Sequence, residues 1–165
     1  MRHALIGALL IAAVSTAGDF VWAGLHLQHR VVWGLSHGAI LFLCMGAYLG
    51  SLTGAALRGA LVGAAIGLTA AGSFYLLSPF AGYSVMFFVW AFVWIALAML
   101  ARARPVRGVF AMIGSGLGFY LISDIWRPFN PEGWDYAVHF LSWTAAYLPG
   151  FLSLLYPSFP RTTPT

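Results

Sequence analysis

The chain has 165 residues, of which 61% are apolar and only 7% charged, with a mean hydropathy of +0.87. Soluble domains carry about 25% charged residues, so a soluble globular class is excluded. The net charge of +4 rests on arginine, with no lysine and no basic stripe to follow a phosphate backbone, and no nucleic-acid partner is expected. Cys44 stands alone, which rules out an intrachain disulfide and a cysteine-built zinc site.

A helix that crosses a bilayer needs about 20 apolar residues at a rise of about 1.5 Å each. Six windows meet that need: residues 4–25, 31–52, 57–77, 82–101, 106–126 and 134–156. The expected fold is therefore an all-α integral membrane protein, a six-transmembrane-helix bundle with short loops. The separators are residues 51–56, the Ser78-Pro79-Phe80-Ala81 break, Arg102-Ala103-Arg104-Pro105, and residues 127–133. Residues 1–157 form one domain, and 158–165 are expected to be a mobile tail. Met1-Arg2-His3 opens like a signal peptide, but the apolar run continues to Trp22 and holds Asp19. A retained first helix is the better reading.

Arginine sets the orientation. Arg2, Arg58, Arg102, Arg104, Arg107 and Arg161 fall on the side of the termini, and Arg30 and Arg127 on the other. Basic residues favour the cytoplasmic face, so both termini are expected in the cytoplasm. The acidic residues Asp19, Asp124, Glu132 and Asp135 then lie toward the outer side, as do all the histidines except His3.

The first hairpin carries the main candidates. Asp19 lies shortly before the link that holds His26, His29 and Arg30, and His37 lies shortly after it. Each sits roughly 10 Å below the outer interface at helical rise, so the two could meet across the hairpin. A carboxylate at that depth needs a cation or a donor, and ionisable groups there are functional candidates by default. Three readings stay open: a hydrogen bond that links helices, a polar ligand site, and an acid–base pair.

A second hairpin echoes the first. Asp19-Phe20-Val21-Trp22, then Trp33 and Ser36-His37, then Ala47-Tyr48-Leu49 match Asp124-Ile125-Trp126, then Trp134 and Val138-His139, then Ala146-Tyr147-Leu148. Parallel repeats about an axis along the membrane normal would bring the two Asp/His pairs together. The candidate ligand-binding set is Asp19, Trp22, Trp33, His37, Asp124, Trp126, His139 and Trp143. Asp19, His37, Asp124 and His139 are the catalytic candidates if the chain is an enzyme.

Gly59, Gly63, Gly67 and Ala71 recur every four residues on the third helix, a stripe that lets backbones approach. Gly114 and Gly118 repeat the spacing on the fifth. Trp22, Trp33, Trp126, Trp134, Tyr136 and Tyr156 fit an interfacial belt. The run Phe87 to Trp94 is wide on every side and reads as lipid-facing, core-filling, or the wall of an apolar pocket. His26 and His29 have one-turn spacing and, with Glu132 and Asp135, are weak metal candidates; no metal is assigned. His37 and His139 could ligate a haem, but nothing in the sequence specifies one. Arg30 and Arg127 read as interfacial snorkels. No Walker loop, nucleophile elbow, zinc-protease or dinucleotide fingerprint occurs.

The layout resembles the insulin-induced gene (INSIG-like) membrane protein family. The resemblance is carried by six spans with almost no loops, the arginine-bearing link 102–107, and the break Tyr120-Leu121-Ile122-Ser123-Asp124-Ile125-Trp126. Asn130-Pro131-Glu132 follows, and then a last span with Trp143 and Pro149. The resemblance implies a prokaryotic relative in the inner membrane, with a cavity open to one leaflet, a bound lipid and a homotrimer. The Asp19/His37 and Asp124/His139 pairs are not part of that family's pattern.

The expected function is binding of a lipid or other apolar or amphipathic small molecule in a cavity between helices, with no cofactor beyond a bound lipid. Two other readings remain open. One is a membrane enzyme acting on a lipid or isoprenoid at the outer leaflet; the other is a small proton-coupled transporter.

Overall fold

The computed structural model describes residues 1–24, 30–123 and 133–155. These form six α-helices: α1 (Arg2–Gly24), α2 (Arg30–Ser51), α3 (Ala56–Ala81), α4 (Val85–Leu100), α5 (Pro105–Ser123) and α6 (Gly133–Leu155). A single 3-10 turn, Gly82–Ser84, joins α3 to α4. Arg2–Val21, Val31–Ser51, Ala56–Ala81 and Tyr136–Leu155 are long and apolar enough to cross a membrane. With 16 residues, α4 is apolar but shorter, about 24 Å at helical rise.

Each helix packs on its neighbours in sequence, and α6 returns to α1, so the six close into a ring. Every neighbouring pair runs antiparallel. Gly7 of α1 meets Phe151 of α6, and Asp19 meets His139. The start of α1 and the end of α6 therefore share one end of the bundle. Arg58, Arg102, Arg104 and Arg107 lie at or near helix ends on that side. The α1–α2 junction is the thinnest in the ring, and α2–α3 is the densest.

The dense junction follows from the glycines. Gly46, Gly50 and Gly38 of α2 face Gly59, Gly63 and Gly67 of α3, backbone against backbone. A methyl group at Gly46 would strike the Gly59 carbonyl, and one at Gly63 the Phe42 carbonyl. The stripe expected on α3 is thus a close-approach face, and α2 carries the matching half. On α5, Gly114 lies against Pro149 of α6, and Gly108 lies against the α4 backbone at Ile95.

Two helix ends are built the same way. After α2, Gly54 takes a left-handed φ of 74°, its N–H bonds the Ser51 carbonyl, and Ala55 N–H bonds that of Gly50. After α4, Arg102 takes a φ of 55°, with Arg102 N–H to Met99 and Ala103 N–H to Ala98. Both are Schellman closures, the first using the usual glycine and the second an arginine. Pro105 then opens α5, where its missing N–H costs nothing.

The break expected at residues 78–81 is not there. The third helix continues through Pro79 to Ala81 and stops at Gly82, whose φ of 60° and ψ of −151° suit glycine alone. Proline removes one intrahelical bond but does not end the helix when its neighbours hold it.

The interior holds Ile11, Met45, Leu49, Trp94, Leu97, Tyr147 and Phe151. The outside is apolar too: Leu57, Leu61, Phe80, Phe87, Phe88 and Leu141 are all exposed. The aromatic run on α4 divides accordingly. Phe87, Phe88 and Phe92 point outward, whereas Val89, Val93 and Trp94 are buried. Phe88 and Phe92 also wall an open groove against Thr69, Ser73 and Leu77 of α3.

Candidate functional site

The polar residues of α1 and α6 share one face at four-residue spacing. Ser15 and Asp19 are one turn apart on α1; His139, Trp143 and Tyr147 are successive turns on α6. The antiparallel packing sets these rows against each other. His139 Nε2 lies 2.9 Å from Asp19 Oδ2, and the Trp143 indole N–H donates to the same oxygen at 2.9 Å. One turn deeper, Ser15 Oγ and the Tyr147 hydroxyl are 3.1 Å apart. Asp19 Oδ2 thus has both of its lone pairs occupied.

The other carboxylate oxygen is placed differently. His37 of α2 brings Nδ1 to 3.9 Å from Oδ1, close enough for an ion pair but beyond a hydrogen bond. Asp19 and His37 approach across the first hairpin, as the spacing allows, yet the hydrogen bond belongs to His139. No hydrogen bond to Oδ1 forms among the described residues.

Burial grades across the three. The His139 side chain is 5% exposed, that of His37 21% and that of Asp19 27%. His139 is fixed from two sides. Phe20 meets its ring edge-on with centroids 5.2 Å apart, and Tyr136 stacks on Phe20 at 3.6 Å. Trp143 is stacked on Tyr147 at 5.3 Å. The α6 side of the carboxylate is therefore a rigid wall, and the α2 side is not.

His37 also lines a groove on the α1–α2 junction. Val14, Gly18 and Val21 of α1 and Trp33, Ser36, His37 and Ile40 of α2 line this open groove of about 120 Å³ along the thin α1–α2 junction. Its lining is almost entirely apolar. Gly18 makes room for the imidazole: a Cβ there would come within 2.6 Å of His37 Cε1. The Ser36 hydroxyl is satisfied within its own helix by the Val32 carbonyl at 2.9 Å.

No family model, curated protein or solved structure matches the chain. The chemistry of the site thus stands on its own residues.

Of the sequence candidates, Asp19, His139 and Trp143 come together by hydrogen bonds, and His37 and Trp33 line the adjoining groove. Trp22 belongs to α1, but its side chain is not among those described. Asp124, Trp126, His26, His29 and Glu132 lie outside the described residues, as does the tail. Among the described residues, no three histidine, cysteine or acidic side chains converge closely enough to hold a metal ion.

Ser15 and Gly18 carried no signal of their own in the sequence, and Tyr147 entered only through the hairpin echo. Tyr147 and Ser15 could have been found, since each lies four residues along the helix from a candidate. Gly18 could not: its role depends on which ring faces it. Tyr75 of α3 also reaches this end, with its hydroxyl against Gly34, about one turn from His37.

Proposed function

We propose that this is an integral membrane protein that holds an amphipathic small molecule between α1 and α2. The polar end of that molecule sits at Asp19 Oδ1 and His37, and its apolar part runs along Val14, Val21, Trp33 and Ile40. Both termini are cytoplasmic on this reading, which sets the site toward the outer leaflet. The long apolar helices and the apolar outer surface support the membrane assignment. One observation carries the binding function. A carboxylate is locked on one oxygen by two donors, while its other oxygen has no hydrogen bond among the described residues and faces His37, which lines an apolar groove. A polar group at such depth is costly unless satisfied, and a ligand donor would satisfy it. The resemblance to the insulin-induced gene family points to the same class of ligand.

Mass spectrometry of gently extracted protein tests the proposal. The expected result is one amphipathic molecule per chain, enriched over the surrounding membrane lipid and lost from an Ile40→Trp variant that fills the groove. Bulk lipid alone, equal in both proteins, overturns it.

A second reading is favoured by the 3.9 Å approach of His37. An imidazole beside a carboxylate can pass a proton to or from a bound molecule. On that reading the protein is a membrane enzyme, and His37→Ala retains the ligand but no longer converts it.

A further inference from the structure

We propose that the turn between α4 and α5 binds the headgroups of net-anionic phospholipids through Arg102 and Arg104, with Arg58 beside them. This surface needs the membrane assignment but not the molecule held between α1 and α2, and it lies at the opposite end of the bundle from Asp19.

Two helix closures share one geometry but not one residue type. Gly54 follows α2 at a φ of 74°, and Arg102 follows α4 at 55°. A left-handed φ burdens any residue with a Cβ and suits glycine. Among the described residues, Arg102 is the only one other than glycine with a positive φ. A position that favours glycine thus carries a cation, and the backbone gives no reason for it. The side chain does. Arg102 and Arg104 both stand exposed, on either side of the half-buried Ala103. The turn beneath them is held in place. The N–H groups of Ala101, Arg102, Ala103 and Arg107 all bond carbonyls within it or in the last turns of α4. The Ser153 hydroxyl of α6 donates to the Arg107 carbonyl at 2.9 Å, and Gly108 seats against α4 at Ile95. Binding an anion here therefore requires little new backbone order.

These charges lack counter-ions in the chain. Among the described residues, no hydrogen bond or ion pair engages the guanidinium groups of Arg58, Arg102 or Arg104. Asp19 and Asp135 belong to the far ends of α1 and α6. The first turns of α1, α3 and α5, which open at the arginine end, contain no acidic residue. An arginine holds a phosphodiester through two parallel hydrogen bonds, whereas a headgroup ammonium finds no described carboxylate here. A net-anionic headgroup is thus favoured over a zwitterionic one. Depth favours a lipid over a free anion. The shortest described helix is α4, with 16 residues, about 24 Å at helical rise, against a hydrocarbon core about 30 Å thick. The turn that follows it is drawn toward the headgroup layer instead of standing clear of it. Arg58 lies in the first turn of α3, which packs antiparallel on α4, so a third cation borders the same layer.

The test uses the full chain in a neutral detergent, with dioleoyl phosphatidylglycerol, dioleoyl phosphatidylcholine or sodium phosphate added. Binding is read by native mass spectrometry, and the thermal unfolding midpoint by circular dichroism. Phosphatidylglycerol should bind about tenfold more tightly than phosphatidylcholine and raise the midpoint, and sodium phosphate should leave the midpoint unchanged. Arg102→Gly and Arg104→Gln should each weaken phosphatidylglycerol binding about fivefold, the share of one basic residue near an anionic surface. Phosphatidylcholine binding should not move. Arg102→Gly also separates binding from folding, because glycine relieves the left-handed φ. Without lipid its midpoint should equal or exceed that of the parent. A lower midpoint would make Arg102 a structural residue and overturn the proposal. Equal affinity for the two lipids overturns it, as does undiminished phosphatidylglycerol binding when both substitutions are combined. Equal stabilisation by sodium phosphate reduces the surface to a free-anion site and overturns the lipid assignment. The molecule proposed between α1 and α2 stands or falls separately, since neither substitution touches its groove.

Discussion

Trp143 donates its indole N–H to the same Asp19 oxygen that faces His139, one helical turn away on α6. The bond joins the first helix to the last and is shielded by the Trp143–Tyr147 stack. A hydrogen bond to a charged group contributes about 1.5–3 kcal/mol. Trp143→Phe keeps an aromatic ring over Tyr147 while removing the donor and part of the ring volume. It should destabilise the bundle by about that amount, read as a lower thermal unfolding midpoint in detergent. An unchanged midpoint would show that the indole bond to Asp19 adds nothing to the stability of the bundle.

Tyr147→Phe makes a smaller change at the next turn. It deletes the hydroxyl paired with Ser15 and leaves the ring buried. The expected cost is about 1 kcal/mol, with the Ser15 hydroxyl left in an apolar setting. Ser15→Ala in the same background should recover part of the loss, because both polar partners are then gone. A double-mutant cycle measures this directly.

The α2–α3 junction predicts a contrast among glycines. Alanine at Gly46 or Gly63 would drive a methyl into a facing carbonyl, and the two backbones would have to separate. Overpacking of this kind costs about 1–3 kcal/mol. Gly72→Ala, on the same α3 helix, meets nothing closer than Leu35 Cδ2 at 3.9 Å and should be neutral or slightly stabilising. Equal unfolding midpoints for all three variants would refute the close packing.

Gly18→Ala separates site geometry from fold. The added methyl meets the His37 ring, which is the movable end of a side chain, so the helices need not part. The expected variant unfolds within a few degrees of the parent but loses affinity for its amphipathic ligand. Loss of fold and binding together would mean that the α1–α2 contact is more structural than the groove suggests.

Orientation is checked by thiol labelling. In a chain whose Cys44 is replaced by alanine, a cysteine at Arg104 should react with a membrane-impermeant maleimide from the cytoplasmic face. One at Val31 should react from the opposite face. The reverse pattern would invert the topology and place Asp19 toward the inner leaflet.

The elements were largely readable because each apolar window ends in a marker with a physical effect. Gly54 and the Arg102–Pro105 link mark such ends. Pro79 misleads for the same reason: it marks a break by rule, yet the packed helix absorbs it. The α3 glycine stripe was readable because small residues at four-residue spacing always make a flat face. Which helix meets that face was not, since nearly every helix here is apolar all round. The pairing at the site was hidden by the same uniformity. Asp19 and His37 are near in sequence, so proximity favours them, but the ring closes α1 onto α6. The bond then goes to His139, 120 positions away.

That closure has a temporal meaning during synthesis. The ribosome delivers α1 first and α6 last, so Asp19 enters its surroundings well before the two donors that quench it have been made. Until the final helix arrives, the half-built chain carries an unmet carboxylate. A nascent protein stalled or truncated before residue 139 should accordingly be the form that quality-control proteases seize.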